Sequence, residues 1–367
     1  MTGTNVNSKL RRGWTTGTCA AAATAAACEA LATGKFPDPV TISLPGGQQP
    51  SFKLAKKVLR GNRAIASIIK DAGDDPDVTH GAEIEVAVQV KSVNAGIIFK
   101  AGSGVGIVTL PGLPIPVGEP AINPTPRKMI KSIINKLAES KKGPADVEVT
   151  ISIPDGETLA KKTMNAKLGI KGGLSILGTT GIVIPYSCAS WVHSIHRGVD
   201  VARAAGLEHI LAATGTTSGK TLSTAYPSLS EQAAIDMGDF AGGLLKYLRK
   251  NPVEKLTLGG GFGKLTKFAN GAMDLHSSRS FINFKFLSNE LARLGASITI
   301  VERAAVANTA LEVLELAREA HLPLADIIAA RSRGLALSIL SGGTDVEVII
   351  ADRQGNQVGH AGFKYYD

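Results

Sequence analysis

The sequence predicts two domains, because the order of its secondary-structure signals changes near residue 170. Before that point, strand-like and helix-like stretches follow each other irregularly, which is typical of an α+β domain. Beyond it, short apolar runs alternate with amphipathic helical stretches, which favours a mainly parallel sheet. We therefore expect an α+β domain over residues 1–170 and a Rossmann-like α/β domain over residues 171–367, with the boundary within 169–178.

The first domain opens with an alanine-rich helix, because alanine is the best helix former and Gly34 is placed to end it. Strand-like runs follow at "VTISL" and "EIEVAVQV", with "RAIASIIKD" between them. The stretch 96–130 is rich in glycine and proline and predicts a strand, a glycine turn, a second strand and a long ordered loop. A helix over 126–140 and a strand at "DVEVTISIP" complete this domain.

The second domain carries the regular strand-helix rhythm. Its predicted strands are "GIVIP", "HILAAT", "EKLTLGG", "ASITIVE" and "DVEVIIAD", and its predicted helices span 189–205, 230–250, 265–270, 281–294 and 309–321. Ligands of such sheets bind at the carboxyl ends of the strands. The turns that follow these strands are therefore the first places to look for a cofactor site.

Composition limits the class of function. The 367 residues are 44% hydrophobic and 19% charged, and no apolar run approaches the ~20 residues that span a bilayer. The three cysteines are too few and too scattered for a disulfide framework, which fits a cytoplasmic location. The net charge is +9, but no Lys/Arg tract is dense and aromatic content is only 5%, so no nucleic-acid or membrane partner is expected. A small polyanionic substrate would also suit a positive protein, and this possibility stays open. The oligomeric state is left open, a homodimer included.

The stretch "RRGWTTGTCAAAATAAACE" has three interpretations. An export leader is disfavoured because alanine is weakly apolar and Glu29 falls where the apolar region should end. A purely structural reading is a capped helix whose small side chains allow close packing. A functional reading adds an anion site, since a helix start presents N–H groups and a positive dipole end. Its substrate-binding candidates are Arg11, Arg12, Thr15, Thr16, Gly17, Thr18 and Cys19, and Cys19 would have a lowered pKa if it faced the opening.

Two further motifs in the first domain have a functional and a plain reading. The turn "AGSGVGIV" offers Gly102, Gly104 and Gly106 to an anion, or is only a β-turn. The run "KDAGDDPDVTHG" is a solvated turn, or it lies beside a substrate, where one of its residues acts as a base or orients Arg11 or Arg12. Its candidate catalytic residues are Asp71, Asp74, Asp75, Asp77 and His80.

In the second domain, "ATGTTSGKT" falls one residue short of a phosphate-binding P-loop, although Gly215 remains a candidate ligand contact. The stretch "LTLGGGFGKLTKFANG" places glycines where a strand meets a helix, which allows close approach of a cofactor or is only a tight turn. The candidates for cofactor binding here are Gly259, Gly260, Gly261, Gly263, Lys264 and, further on, His276. His193 and His196 lack a third metal ligand, and no metal site is predicted.

Five stretches in order resemble the blocks of the CbiD proteins, the cobalt-precorrin-5B C1-methyltransferases of the cobalamin pathway. They are "LRRGWTTGTCAAAA", "KDAGDDPDVTHG", "GSGVGIVTLPGLPIPVGEPAINPTPR", "GTTGIVIPYS" and "GGGFGKLTKFANGAMDLHSS". The resemblance implies methyl transfer from S-adenosylmethionine to C1 of a corrinoid precursor, with cobalt only as part of the substrate. A small-molecule kinase, suggested by the near-P-loop, and a non-enzymatic polyanion binder are the alternatives.

Overall fold

A computed structural model describes residues 10–364, and the chain divides into two compact units, Met1–Cys188 and Ala189–Asp367. Residues 1–9 and 365–367, which the predicted domain limits include, lie outside the described part. The first unit is built on a five-stranded sheet in the order β4-β5-β6-β9-β7, antiparallel except for the β7/β9 pair. Its strands are β1 (Gly13–Trp14), β2 (Val40–Thr41), β3 (Ser51–Phe52), β4 (Lys56–Arg60), β5 (Arg63–Ile69), β6 (Glu83–Val90), β7 (Ile97–Ala101), β8 (Ile107–Val108), β9 (Val147–Ser152), β10 (Ile170–Lys171) and β11 (Ile182–Val183). Its helices are α1 (Thr16–Thr33), α2 (Pro124–Glu139) and α3 (Gly156–Ala160).

Helix α1 lies in the core of this unit and packs against β5, β6 and α2. Its alanines make this possible, because six of them between residues 20 and 27 have no exposed surface. The side chain of Thr15 caps the helix by accepting from the N–H of Thr18, and Gly34 ends it in the left-handed region at φ 75. The structural reading of the alanine run therefore accounts for the helix.

The first unit ends later than the sequence suggested, at residue 188 rather than 170. The run "GIVIP", expected in the second domain, forms β11 and pairs antiparallel with β1 near the start of the chain. Strand β10 likewise pairs with β8. These ladders attach residues 170–183 to the first unit.

The second unit has a five-stranded sheet in the order β13-β12-β14-β15-β16, in which only β16 runs antiparallel. Its strands are β12 (His209–Ala213), β13 (Ala234–Asp236), β14 (Lys255–Gly261), β15 (Asp345–Ala351) and β16 (Gln357–Ala361). Its helices are α4 (Cys188–Ala204), α5 (Thr216–Ala225), α6 (Ala241–Leu248), α7 (Phe262–Ala269), α8 (Phe284–Arg293), α9 (Ile298–Ala305), α10 (Ala310–Glu319) and α11 (Leu324–Leu340), with a short 3-10 turn at Glu231–Ala233.

Both faces of this sheet are covered. Along β12, Ile210 and Ala212 join the larger core, whereas Leu211 and Ala213 pack with Leu222 of α5 on the other face. The strand order reverses beside β12, since the chain passes from β12 to β13 on one side and then returns to β14 on the other. In doubly wound sheets, such a reversal leaves a crevice at the carboxyl ends of the two adjacent strands beside it, which here are β12 and β14.

Two element predictions for the second unit were wrong, and two of its helices were missed. The run "ASITIVE" forms helix α9, because Ser297 caps it by accepting from the N–H of Ile300 and the strand positions are filled by other segments. The stretch 230–250 contains strand β13 before the shorter helix α6. Helices α5 and α11 were not predicted at all. The predicted helices near 189–205, 265–270, 281–294 and 309–321 are confirmed.

Candidate functional site

The start of α1 uses its polar groups within the protein. The hydroxyl of Thr18 donates to the carbonyl of Gly181 at 2.7 Å, and the Thr16 hydroxyl lies 3.2 Å from the carbonyl and 3.1 Å from the N–H of Leu177. The N–H of Gly17 donates to that same Leu177 carbonyl at 3.0 Å. Every residue from 15 to 19 is buried. The expectation of free donors for an anion is therefore not met, and the segment serves as a cap held by residues 177–181.

Cys19 also differs from its expected state. Its thiol is buried, and burial raises its pKa to about 12, although the nearby charge of Lys70 opposes the shift. The expectation of a lowered pKa was conditional on an exposed thiol facing an opening. A thiol in this setting is inert and contributes to packing.

The turn around Gly104 packs tightly against the protein's own backbone. A Cβ on Gly104, whose φ is +72, would lie 2.0 Å from the carbonyl oxygen of Ile153. A Cβ on Gly102 would lie 2.0 Å from Ser152 Oγ, and one on Gly106 would lie 2.4 Å from Ile170. The structure therefore explains these glycines by close packing, and the anion-loop reading has no geometric support.

The acidic run organises the chain around it. Asp71 forms a two-pronged ion pair with Arg11, whose Nη2 lies 2.9 Å from Oδ1. Hydrogen bonds from Arg11, followed by one from the N–H of Gly73, lower the pKa of Asp71 to about 2. Asp74 Oδ2 accepts the N–H of Arg11 at 2.5 Å, and Asp75 Oδ1 accepts the N–H of Tyr186 at 2.8 Å. These three carboxylates therefore fasten residues 11 and 186 to the loop.

Asp77 and His80 complete this loop. Asp77 pairs with Lys70, a lysine whose side chain is only 1% exposed, and accepts from the hydroxyl of Thr79 at 2.6 Å. Burial alone would raise the pKa of Asp77, but Lys70 and Thr79 together lower it. The Nδ1 of His80 accepts the N–H of Ala72 at 3.1 Å. Asp71 and Asp77 are thus held as ionised structural anions, which makes them poor general bases near neutral pH.

An exposed surface lies beside this loop, formed by Arg11, Arg12, Ile184 and Tyr186, and we call it the arginine-tyrosine surface. Arg12 and Ile184 each lie one residue beyond the last pair of the β1/β11 ladder. Tyr186 is 67% exposed and adopts a left-handed conformation at φ 55, which costs free energy for a bulky residue. Tyr186 was not among the predicted site residues, because a positive φ at a tyrosine leaves no signal in the sequence.

In the second unit, the glycines of the two strand-to-helix turns fall into two groups. A Cβ on Gly259 would lie 2.7 Å from Leu222, and one on Gly260 would lie 2.9 Å from Leu265, so packing explains both. Gly215 and Gly261 have no atom within 4 Å of a Cβ position, and neither has a φ that requires glycine. These two glycines follow or end β12 and β14, the strands that border the crevice.

Polar groups surround the same edge of the sheet. Lys264 Nζ donates to the carbonyl of Thr214 at 2.8 Å and lies 3.0 Å from Asp239 Oδ1. The N–H of Leu275 donates to the carbonyl of Asp239 at 2.8 Å, which brings the exposed His276 to this edge. Gly263 lies inside α7, where it faces Ala310 at van der Waals distance. The predicted cofactor residues are therefore gathered at one edge, with Lys264 tying the end of β12 to the loop after β13.

The two histidines of the predicted helix 189–205 make contacts with aromatic rings. His193 and His196 lie with ring centroids 6.3 Å apart, and His196 stacks on Tyr247. Within residues 10–364, no group of three or more His, Cys, Asp or Glu side chains is placed to hold a metal ion. No helix of that part of the chain is both long and apolar enough to cross a bilayer.

The fold defines a mixed α/β protein whose second unit contains a mainly parallel sheet with a reversal of strand order. Comparison with known sequences gives the family. The CbiD family model matches residues 3–185, and the model described as "CbiD, C-terminal domain" matches residues 274–362. The chain belongs to the CbiD family.

The relatives cover nearly the whole chain. A protein of Brucella anthropi named cobalt-precorrin-5B C(1)-methyltransferase is 55% identical over 95% of both chains. A protein of the same name from Bradyrhizobium sp. is 53% identical over 96% of this chain and 94% of its own. Among solved structures, a cobalamin biosynthesis protein (cbiD) from Archaeoglobus fulgidus is 28% identical over 85% of each chain, with a TM-score of 0.39.

Proposed function

We propose that this protein transfers a methyl group from S-adenosylmethionine to C1 of cobalt-precorrin-5B in cobalamin biosynthesis. Membership of the CbiD family and the shared name of relatives at 53–55% identity support the reaction. The observation that carries the donor site is the pair Gly215 and Gly261, where neither packing nor backbone conformation requires glycine. A ligand that approaches the backbone closely accounts for both residues.

The second unit is, in this proposal, a Rossmann-like domain that binds the donor. Counted within the unit, its strands have the order 2-1-3-4-5, one of the two common doubly wound orders, and ligands of such sheets bind where the order reverses. Gly215 and Gly261 leave room there, and Lys264 and His276 supply polar groups at the rim. When bound, the donor supplies an electrophilic methyl group. The open backbone at Gly215 and Gly261 and the polar groups of Lys264 and His276 fit this donor.

The first unit binds the corrinoid through the arginine-tyrosine surface. A polycarboxylate substrate needs cations that can form two-pronged hydrogen bonds, and Arg11 and Arg12 are exposed. The ion pair with Asp71 fixes Arg11, and Asp75 fixes the backbone of Tyr186. The net charge of +9 favours approach of an anion of this kind. The proposed location is cytoplasmic, because three scattered cysteines are too few for a disulfide framework.

Methyl transfer is an in-line displacement, so the protein mainly has to position the two reactants and exclude water. Among the acidic run, Asp71 and Asp77 do not serve as bases, since both are held ionised by cations. Because Nδ1 of His80 accepts the backbone N–H of Ala72, the ring N–H is at Nε2, where it can donate a hydrogen bond. If a carboxylate of this loop acts as the base, it is Asp74 or Asp75.

The kinase alternative has less support. Lys220, which would be the P-loop lysine, lies in the second turn of α5, away from the turn at Gly215. The named relatives are methyltransferases. Binding of ATP in preference to S-adenosylmethionine would return this alternative to first place.

Gly261→Val tests the donor site. A Cβ at this position has no protein atom within 4 Å, so the fold should persist while donor affinity falls about tenfold or more, the equivalent of ~1.4 kcal/mol. Gly334→Val is the matched control, because Gly334 is exposed and its Cβ position is equally open. Calorimetry with S-adenosylmethionine and a methyl-transfer assay on cobalt-precorrin-5B give the two readouts. Unchanged donor affinity in a folded Gly261→Val protein would remove this site from consideration.

A further inference from the structure

We propose that Asp236 and Trp191 form the nucleoside end of the donor site, where Asp236 accepts the ribose hydroxyls and Trp191 lies against the adenine ring. This inference rests on the proposed function, because it names the residues that recognise the methyl donor. Neither residue belongs to the glycine turns considered so far. Asp236 ends β13, and Trp191 is hydrogen-bonded to it, so both residues lie on the side of β12 that β13 occupies.

Asp236 occupies the position of a ribose acceptor. It is the last residue of β13, and its parallel register with Ala213 puts it level with the end of β12. It lies about 20 residues beyond Gly215, the spacing at which dinucleotide-binding sheets place the acid that binds a ribose hydroxyl. Its carboxylate is therefore at the carboxyl edge, beside the turn that Gly215 leaves open.

The carboxylate of Asp236 accepts fewer hydrogen bonds within the described protein than it is able to accept. Between residues 10 and 364, the hydrogen bond to it comes from the N–H of Gly238, at 3.3 Å to Oδ1, and no lysine, arginine or histidine forms an ion pair with it. An ionised carboxylate can accept about four hydrogen bonds. An uncompensated carboxylate suits uncharged ribose hydroxyls and the positive charge of a sulfonium donor, and it repels the phosphates of a nucleotide.

Trp191 supplies a flat apolar surface next to this acid. It lies in the first turn of α4, it is 47% exposed, and its Nε1 donates to the carbonyl of Asp236 at 3.3 Å. A Cβ on Gly238 would lie 3.2 Å from Nε1 and 3.3 Å from the ring carbons, so the indole rests against this glycine. The hydrogen bond fixes the ring beside Asp236, and its exposed part can stack on a purine.

The test compares ribose and deoxyribose ligands by calorimetry, with S-adenosylhomocysteine and its 2′-deoxy and 3′-deoxy counterparts. Wild-type protein should bind at least one deoxy ligand about tenfold more weakly than the ribose form. Asp236→Asn should weaken the ribose form by a similar factor and reduce that preference, whereas Trp191→Ala should weaken all three ligands alike. Asp352→Asn is the matched control, because Asp352 follows strand β15 of the same sheet and its carboxylate binds its own turn.

A second readout uses the native tryptophans, which number two. In a Trp14→Phe protein, fluorescence comes from Trp191, and S-adenosylhomocysteine should quench it with the dissociation constant that calorimetry gives. Equal affinity of wild-type protein for all three ligands, or an unchanged ribose preference in Asp236→Asn, would overturn the role of Asp236. Binding without a change in Trp191 fluorescence would overturn the role of Trp191.

The outcomes also separate this inference from the proposed function. If wild-type protein binds S-adenosylhomocysteine and Gly261→Val abolishes binding, but Asp236→Asn and Trp191→Ala do not alter it, only the inference fails. If the wild-type protein binds none of the three ligands, the donor site itself is wrong and the inference falls with it. Circular dichroism of each variant shows whether it is folded. The deoxy ligands test the role of Asp236 on the wild-type protein, so this part of the test does not depend on the folding of a variant.

Discussion

Replacing Thr18 by valine should destabilise the first unit and leave ligand binding unchanged. Thr18 has no exposed surface, and its hydroxyl donates to the Gly181 carbonyl at 2.7 Å while lying 3.1 Å from the Thr15 hydroxyl. Valine keeps the shape but removes both hydrogen bonds. Each is worth about 1 kcal/mol net, so the loss should be about 2 kcal/mol. The capping bond from the N–H of Thr18 to the Thr15 side chain remains.

Urea unfolding followed by the fluorescence of Trp14 measures this loss. The Trp191→Phe background makes Trp14, in β1, the reporter of the first unit. At an m value of about 2 kcal/mol per molar urea, the midpoint should fall by about 1 M. Thr24→Val is the matched control in the same helix, because Thr24 is equally buried but its hydroxyl only adds a second bond to the Ala20 carbonyl. That variant should shift the midpoint by less than about 0.3 M.

The opposite pattern would refute the capping argument. If Thr18→Val kept the wild-type midpoint but bound the corrinoid about tenfold more weakly, the hydroxyl would be contacting substrate, as the functional reading of the sequence proposed. A shift in both quantities would show that the cap also shapes the arginine-tyrosine surface. Titration with S-adenosylmethionine provides the internal reference, since neither reading expects a change in donor affinity.

Three further predictions concern burial and charge. Iodoacetamide at pH about 8 should modify Cys188 well before Cys19 and Cys28, whose buried thiols have pKa values raised to about 12, as peptide mass mapping would show. Burial lowers the pKa of His209 from its ordinary value of 6.5, so the unfolded chain binds more protons than the folded protein does. The melting temperature should therefore fall as the pH drops below 6.5, and it should fall less in His209→Gln. Gly104→Ala should prevent folding or lower the melting temperature strongly, whereas Gly261→Ala should leave it unchanged or raise it.

The predicted elements that matched the structure were those whose local signals and tertiary contacts agree. The alanine run forms α1 because helix propensity, a threonine cap and Gly34 all favour the same span. The run "EKLTLGG" forms β14 because its apolar residues are buried on both faces of a parallel sheet. By contrast, "ASITIVE" has strand-like composition, yet the Ser297 cap and packing of Ala304 into the core make it helical.

The boundary between the units could not be placed from local signals. The run "GIVIP" reads as a strand wherever it is, and only pairing with a segment far earlier in the chain shows which unit it joins. The same holds for the acidic run. Its density indicated a special role, but which carboxylate fastens Arg11 and which fastens Tyr186 depends on contacts between segments about 60 and 110 residues apart in sequence.

The glycines show most clearly what a sequence leaves undecided about a site. Gly104 and Gly261 both stand in glycine-rich turns next to strands, and the sequence predicted a ligand contact for each. Gly104 has a positive φ and a backbone carbonyl where its side chain would be, so the fold itself requires glycine. Gly261 has ordinary dihedral angles and open space, so the fold would accept alanine. A glycine that the protein does not need for itself, placed in a turn at the carboxyl end of a parallel strand, favours the edge of the second sheet as the donor site.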